Sequence, residues 1–313
     1  MTEVIGTTDL SKIYGRTRAV DNLNLSVKKG EIFGFLGLNG AGKTTTIRLL
    51  LGLVRPTSGN CRLLGKKISA GSTHAWPDVG YIVETPHSYP ELTVRENLEI
   101  VRRLRGIEDR ACVDWIIRKL KLQQYEAKKA AQLSLGNAQR LGLAKAIIHQ
   151  PKILLLDEPT NGLDPAGIVE VRRLLVELAT NYQVTILVSS HKLGEIAKMA
   201  TRIGIIHNGK LIKEMDSRQL ERQLKKSLFL DGHNRPAIKS ILAKAGYQLG
   251  SANLAGGSAP LEIRQQEAVE APDRIATLLV KAGHPPTMLK VQAEDLEAFF
   301  LRSVRESGGI NDD

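Results

Sequence analysis

The stretch Gly37-Leu38-Asn39-Gly40-Ala41-Gly42-Lys43-Thr44-Thr45 constrains this chain more than any other. An apolar run, Glu31-Ile32-Phe33-Gly34-Phe35-Leu36, leads into it, and the helix-patterned Thr45-Thr46-Ile47-Arg48-Leu49-Leu50-Leu51 leads out. Strand, glycine-rich turn, helix is the setting in which G-x-x-x-x-G-K-[ST] forms a phosphate-binding loop. Glycines let consecutive backbone N–H groups curl around an anion, and the positive end of the helix points at the same place. Lys43 would then reach the β- and γ-phosphates of a nucleotide, and the Thr44 hydroxyl would ligate Mg2+.

The rest of residues 1–220 supports an α/β core. Val79–Val83, Ile153–Leu156 and Val184–Val188 are short apolar runs, alternating with helix-patterned stretches at 166–180 and 194–199. Such runs between helices predict a sheet covered on both faces. Residues 1–35 read instead as a small antiparallel sheet, residues 91–150 as a mostly helical insert, and Ile203–Ile212 as a hairpin turning at Asn208-Gly209. Past about residue 220 the pattern becomes strand 227–231, helix 235–246, strand 247–252, strand 261–265, helix 270–283, strand 286–291 and a last helix 294–304. That βαββαβ order predicts a small α+β, ferredoxin-like domain over 221–313, with Gly250–Gly257 as its central loop.

A phosphate loop needs a carboxylate to hold the metal and a group to direct water. Ile153-Leu154-Leu155-Leu156-Asp157-Glu158 ends a buried strand on two carboxylates. Asp157 would hold Mg2+, directly or through water. Glu158 points elsewhere and would polarise the attacking water as general base.

With these residues in order, the chain resembles the ATP-binding subunits of ATP-binding-cassette (ABC) transporters over roughly residues 3–220. Glu158-Pro159-Thr160-Asn161-Gly162-Leu163-Asp164-Pro165 is similar to the family's Walker B end and D-loop, and Leu133-Ser134-Leu135-Gly136-Asn137-Ala138-Gln139-Arg140 stands where its signature motif is found. His191 matches the switch histidine, and Tyr14 the aromatic that stacks on adenine. The resemblance implies a P-loop cassette with a RecA-like core, an antiparallel β subdomain and a helical subdomain at about 91–150. It implies two cassettes packed head to tail, each ATP lying between the phosphate loop of one and Ser134 and the Gly136 N–H of the other, with Asp164 at the same boundary. A homodimer is the simplest expectation, with ATP and Mg2+ bound, ATP hydrolysed and a separate membrane permease driven.

Two departures narrow the resemblance. The signature carries Leu135 for the usual glycine and Asn137 for glutamine, and the loop after Gly80–Val83 carries Glu84 where a glutamine near Mg2+ is usual. With Tyr89–Leu98, they resemble the bacitracin-export and lantibiotic-immunity branch, whose permeases are of the ABC-2 kind. Glu84 would then ligate Mg2+ and act near the attacking water. A regulatory cassette with little hydrolysis is the alternative these departures leave open.

Composition sets the surroundings. Of 313 residues 25% are charged and 42% hydrophobic, with no apolar run of the ~18–20 residues a membrane helix requires. The start lacks a secretory signal, and Cys61 and Cys112 lack both metal-ligand spacing and disulfide density. A cytoplasmic protein, peripheral on the inner face of the membrane, is expected. The net charge of +11 lies wholly in residues 1–220, which carry 32 Lys/Arg against 21 Asp/Glu; residues 101–150 alone carry 11 against 4. Nucleic acid, anionic lipid or an acidic protein surface would each suit such a cluster. With 4% aromatics and no RNA-recognition pattern, a soluble ATPase working on ribosomes or nucleic acid is the weaker alternative. The resemblance, in which the helical subdomain faces the membrane subunit, makes residues 101–150 a candidate docking surface for a permease or for lipid head groups, with charge reversal at Arg102, Arg103 and Arg105 expected to weaken permease association.

Overall fold

Five parallel strands form the centre of the larger of two units in a computed structural model that describes residues 2–250 and 260–307. The six-stranded sheet runs Lys210–Asp216, Arg202–His207, Ile32–Leu36, Thr185–Ser190, Ile153–Asp157, Val79–Ile82, and only its first strand is antiparallel to its neighbour. Ile32–Leu36, Ile153–Asp157 and Thr185–Ser190 are buried at every position. This is why they read as unbroken apolar runs rather than alternating ones. Parallel pairing aligns their carboxyl ends, so the residues following each strand gather at one edge of the sheet.

The expected antiparallel sheet is present and larger than the sequence pattern suggested. Thr17–Lys28, Glu3–Tyr14, Ser58–Leu63 and Lys66–Ile68 pair in that order, and the last two strands went unforeseen. Ser58-Gly59-Asn60-Cys61-Arg62-Leu63 lacks strong β formers and owes its conformation to pairing with the first strand. The hairpin Arg202–His207 to Lys210–Asp216 turns at Asn208 and Gly209, with φ of 48° and 79°, as a two-residue primed turn requires.

Between Val79–Ile82 and Ile153–Asp157 the helices Val94–Leu104, Ala111–Lys119 and Leu135–Ile147 form the helical insert. Thr93 caps the first of them in a reciprocal box with Glu96. The buried Asn97 bonds Tyr89 N and the carbonyls of Tyr89, Leu92 and Thr93, fixing the loop that enters the helix.

The basic cluster of this insert is largely consumed within the chain. Arg102 is 8% exposed, pairs with Glu99 at 2.7 Å and donates to the Ile107 carbonyl. Arg105 donates to the Trp76 and Val79 carbonyls, tying the helix to the central sheet. Lys119 pairs with Glu177, Arg140 and Lys121 with Glu170, and Lys129 with Glu91. Of the three arginines expected to form a docking surface, Arg103 alone is mostly exposed, at 69%. Reversing charge at Arg102 or Arg105 would break internal contacts, so the expected three-arginine docking surface is corrected to structural anchoring by two of the three.

Cα packing divides the chain into Met1–Ser217 with Phe300–Asp313, and Arg218–Phe299. In the second unit Met288–Ala293, Lys226–Asp231 and Leu261–Ile263 form an antiparallel sheet in that order, and Leu249 bridges Ile263 on the far side. This is the strand order of a ferredoxin-like sheet with its second strand reduced to a single bridge. Leu228, Leu230, Ile238, Leu242, Ile275 and Leu279 fill its core. Of the expected strand 247–252 and loop Gly250–Gly257, the parts beyond Gly250 lie outside the described residues. No helix among the described residues is long and apolar enough to cross a membrane.

Candidate nucleotide site

At the carboxyl end of Ile32–Leu36 the chain turns through Gly37–Gly42 into the helix Lys43–Leu50. Gly40 and Gly42 take φ of 81° and 109°, values an L-residue adopts only with strain. A Cβ on Gly42 would lie 2.3 Å from the Ala19 carbonyl oxygen, so that glycine is required twice over. Gly209 N donates to Ala41 O at 2.9 Å, and the hairpin turn thereby braces the loop from behind. Ala19, Asn39, Gly40, Ala41, Gly42, Lys43, Thr44, Thr45, Asp157 and Glu158 enclose a hollow of about 210 Å3. Gly37 and Leu38 precede these residues without lining the hollow; Gly37 is buried and Leu38 46% exposed.

Lys43 is 6% exposed, and its ammonium donates to the Gly37 and Leu38 carbonyls at 2.7 and 3.2 Å. Burial pushes its pKa below the usual lysine range, opposed by the Glu158 and Asp157 carboxylates. Thr44 Oγ1 donates to Asp157 Oδ2 at 2.7 Å, and Ser189 Oγ donates to Asp157 Oδ1. Both oxygens of Asp157 are thereby oriented by neighbours on different elements.

Glu158 follows directly with φ of 49°, a left-handed conformation uncommon for a side chain of its size. Its backbone N–H is held by Ser189 and its carbonyl accepts from Gln139 Nε2 at 3.4 Å. Both carboxylate oxygens are buried without a hydrogen bond. Lys43 Nζ lies 3.7 Å from one of these oxygens and the His191 ring nitrogen Nδ1 3.0 Å from the other, the latter without hydrogen-bond geometry. A buried carboxylate with open lone pairs is costly unless something else binds it.

Other expected residues lie apart from this group. Tyr14 is 45% exposed with Lys12 Nζ 4.7 Å over its ring. Glu84 pairs with Arg48 at 2.6 Å. Ser134 caps the helix Leu135–Ile147, accepting from Asn137 N at 3.4 Å, and Leu135 is 61% exposed. Gly136 approaches the Gly162 carbonyl, where an added Cβ would sit 3.0 Å away. Asp164 caps the helix Pro165–Tyr182 through Gly167 N at 3.0 Å.

Sequence reasoning missed Ser189, Gln139, Arg48 and Ala19. Ser189 had a signal, a serine pair closing an apolar strand, but only register places it opposite Asp157. Gln139 lay inside the quoted signature stretch, and its reach back to Glu158 requires the tertiary fold.

Comparison with known proteins agrees with this geometry. A family model described as ABC transporter matches residues 20–161. The bacitracin transport ATP-binding protein BcrA of Bacillus licheniformis is 47% identical over 228 residues, 73% of this chain and 74% of that one. BcrA of Enterococcus faecalis is 37% identical over 310 residues, 99% of each chain. Among solved structures, the dimeric post-hydrolysis state of the ATP-binding cassette MJ0796 bound to ADP and Pi superposes with a TM-score of 0.64 at 26% identity, covering 68% of this chain and 99% of that one. A glycine loop closed by a buried lysine, a strand ending in two carboxylates and full-length similarity converge on one conclusion: the chain belongs to the ABC transporter family, as an ATP-binding and ATP-hydrolysing subunit.

Proposed function

We propose that this chain powers a separate membrane permease of the ABC-2 kind, in the export of a peptide antibiotic of the bacitracin or lantibiotic type. The similarity to two bacitracin transport proteins supports the substrate class. The observation that carries the chemistry is the Glu158 carboxylate, buried and without a hydrogen bond beside the lysine of the phosphate loop.

In this reading the triphosphate lies along the N–H groups of Gly40–Thr45, and Lys43 exchanges the Gly37 and Leu38 carbonyls for β- and γ-phosphate oxygens. Thr44 Oγ1 and Asp157 Oδ2, hard oxygens already in contact, fit Mg2+. Among the described residues no group of three or more His, Cys, Asp or Glu could hold a metal. Two protein oxygens completed by phosphates and water are the arrangement magnesium favours. Bound there, Mg2+ would neutralise charge on the phosphates. Glu158 accepts the proton of the attacking water as that oxygen bonds to the γ-phosphorus. The bond to the bridging oxygen breaks, giving ADP and phosphate. His191 orients Glu158 and the γ-phosphate, Tyr14 stacks on adenine, and Glu84 would be a further carboxylate to hold the metal.

Ser134, the Gly136 N–H and Asp164 act across a homodimer, on the ATP held by the second copy. Residues 1–220 form the cassette, with its helical subdomain at about 91–150, and residues 221–313 an accessory α+β domain. The permease docks on the groove of about 740 Å3 lined by Tyr81, Pro86, Tyr89, Ile100, Leu104 and Lys145. The protein works in the cytoplasm, at the inner face of the membrane.

The test is Glu158→Gln in Mg·ATP. Dimers that persist with unhydrolysed ATP, while the unsubstituted chain releases ADP and phosphate, are expected. A strictly monomeric variant, alone and with its permease, would exclude the composite site.

A further inference from the structure

Arg48 lies on the helix that opens at the nucleotide hollow, and Glu84 follows a strand paired with the one that ends in Asp157. Arg48 lies four residues after Thr44, so the two share one face of the helix Lys43–Leu50, a single turn of about 5.4 Å apart. Glu84 comes two residues after the strand Val79–Ile82, whose Ile82 pairs with Leu156, immediately before Asp157. The topology therefore brings Glu84 to the same sheet edge as Asp157 and Glu158. Glu84 holds φ of 57°, in the left-handed region that Glu158 also occupies. In that conformation its Oε1 accepts from the Arg48 guanidinium at 2.6 Å. The carboxylate is thereby held by a residue rooted one helical turn beyond Thr44.

We propose that Arg48 is a positioning residue that holds the Glu84 carboxylate away from the metal-binding oxygens until metal-bound nucleotide arrives, when Glu84 exchanges Arg48 for the metal's shell. The inference rests on the nucleotide reading above and adds a residue to it. Glu84 carries one negative charge and has two cationic suitors, a guanidinium fixed on the helix and a divalent ion brought by the nucleotide. Attraction to the first opposes recruitment by the second, because a ligand shifts an equilibrium only by its differential affinity for the two states. The side chains are 37% and 56% exposed, so the ion pair is weak enough to open when the metal arrives. A neutral glutamine at position 84 would lose this charge competition. The device therefore belongs to a cassette with a carboxylate there.

The experiment titrates the full chain with Mn2+ and a non-hydrolysable ATP analogue, reading bound Mn2+ by electron paramagnetic resonance and so requiring no turnover. Arg48→Ala should tighten binding of the metal–analogue complex about two- to five-fold, the scale of a half-exposed ion pair. Binding of the metal-free analogue should be unchanged. Arg48→Lys, which keeps the charge, should stay near the unsubstituted chain. On a Glu84→Gln background, Arg48→Ala should have no effect on metal–analogue binding. A tightening that persists without the Glu84 carboxylate, or no tightening at all, overturns the role of Arg48 and leaves nucleotide binding intact. Failure of the unsubstituted chain to bind the metal–analogue complex would instead overturn the nucleotide reading, and this inference with it.

Discussion

The loop Gly37–Thr45 and the turn Ser134–Asn137 are both glycine-bearing helix N-termini suited to anions, but the fold treats them in opposite ways. The first is finished within one chain. Its glycine is pressed against Ala19, its carbonyl braced by Gly209, and its lysine 6% exposed. The second is left open, with Leu135 61% exposed and a long 3.4 Å bond as its cap. A phosphate site that works alone must be pre-organised, because ordering it on binding would cost affinity. A site completed by another molecule needs an exposed, shape-bearing tip instead. The difference predicts that nucleotide affinity belongs to the single chain and turnover to a pair.

Substitutions at the two places should separate these properties. Glu158→Gln, on the finished side, should lower steady-state ATP turnover by about 100- to 10,000-fold, as loss of a general base does, with ATP affinity kept. Gly42→Ala should abolish nucleotide binding by calorimetry, since neither its φ nor the Ala19 carbonyl tolerates a methyl. A variant that still bound ATP would show the loop to be softer than its packing. Lys43→Ala should weaken ATP binding by about 100-fold, the loss of charge-assisted bonds to phosphate. On the open side, Ser134→Ala should leave ATP affinity of the monomer unchanged while lowering turnover about tenfold. Weakened affinity in the monomer would mean that Ser134 acts within its own chain, and the contrast would collapse. Gly136→Ala should be mildest, since the added Cβ sits 3.0 Å from the Gly162 carbonyl and needs a shift of only a few tenths of an ångström. A fall in stability below about 1 kcal/mol in thermal unfolding is expected, well under the usual cost of a buried clash.

The helical insert offers a second contrast, between net charge and free charge. Counted along the chain, residues 101–150 are its most basic segment. Folded, they pair with Glu91, Glu99, Glu170 and Glu177, all four of which lie outside that segment. A window of sequence records charge without recording partners brought from 30 or 60 residues away. This is why Arg102 and Arg105 looked like a surface and proved to be anchors.

Glu84 shows the same limit at the site itself. Its position after a strand was visible, and so was its chemistry. The direction of its side chain depended on Arg48, 36 residues earlier, on a helix whose face is set by packing of Ile47, Leu49 and Leu50.

The sequence by itself determined the central strands, the glycine loop with Lys43 and Thr44, and the Asp157-Glu158 pair. Each is a contiguous signal in which burial or backbone geometry restricts the residue types allowed. Tertiary structure alone decided that Ser189 and Thr44 share Asp157, that Gln139 reaches Glu158, and that Glu84 rests on Arg48. Those contacts join elements distant in the chain, and parallel pairing with helix packing sets their register after local propensity has done all it can.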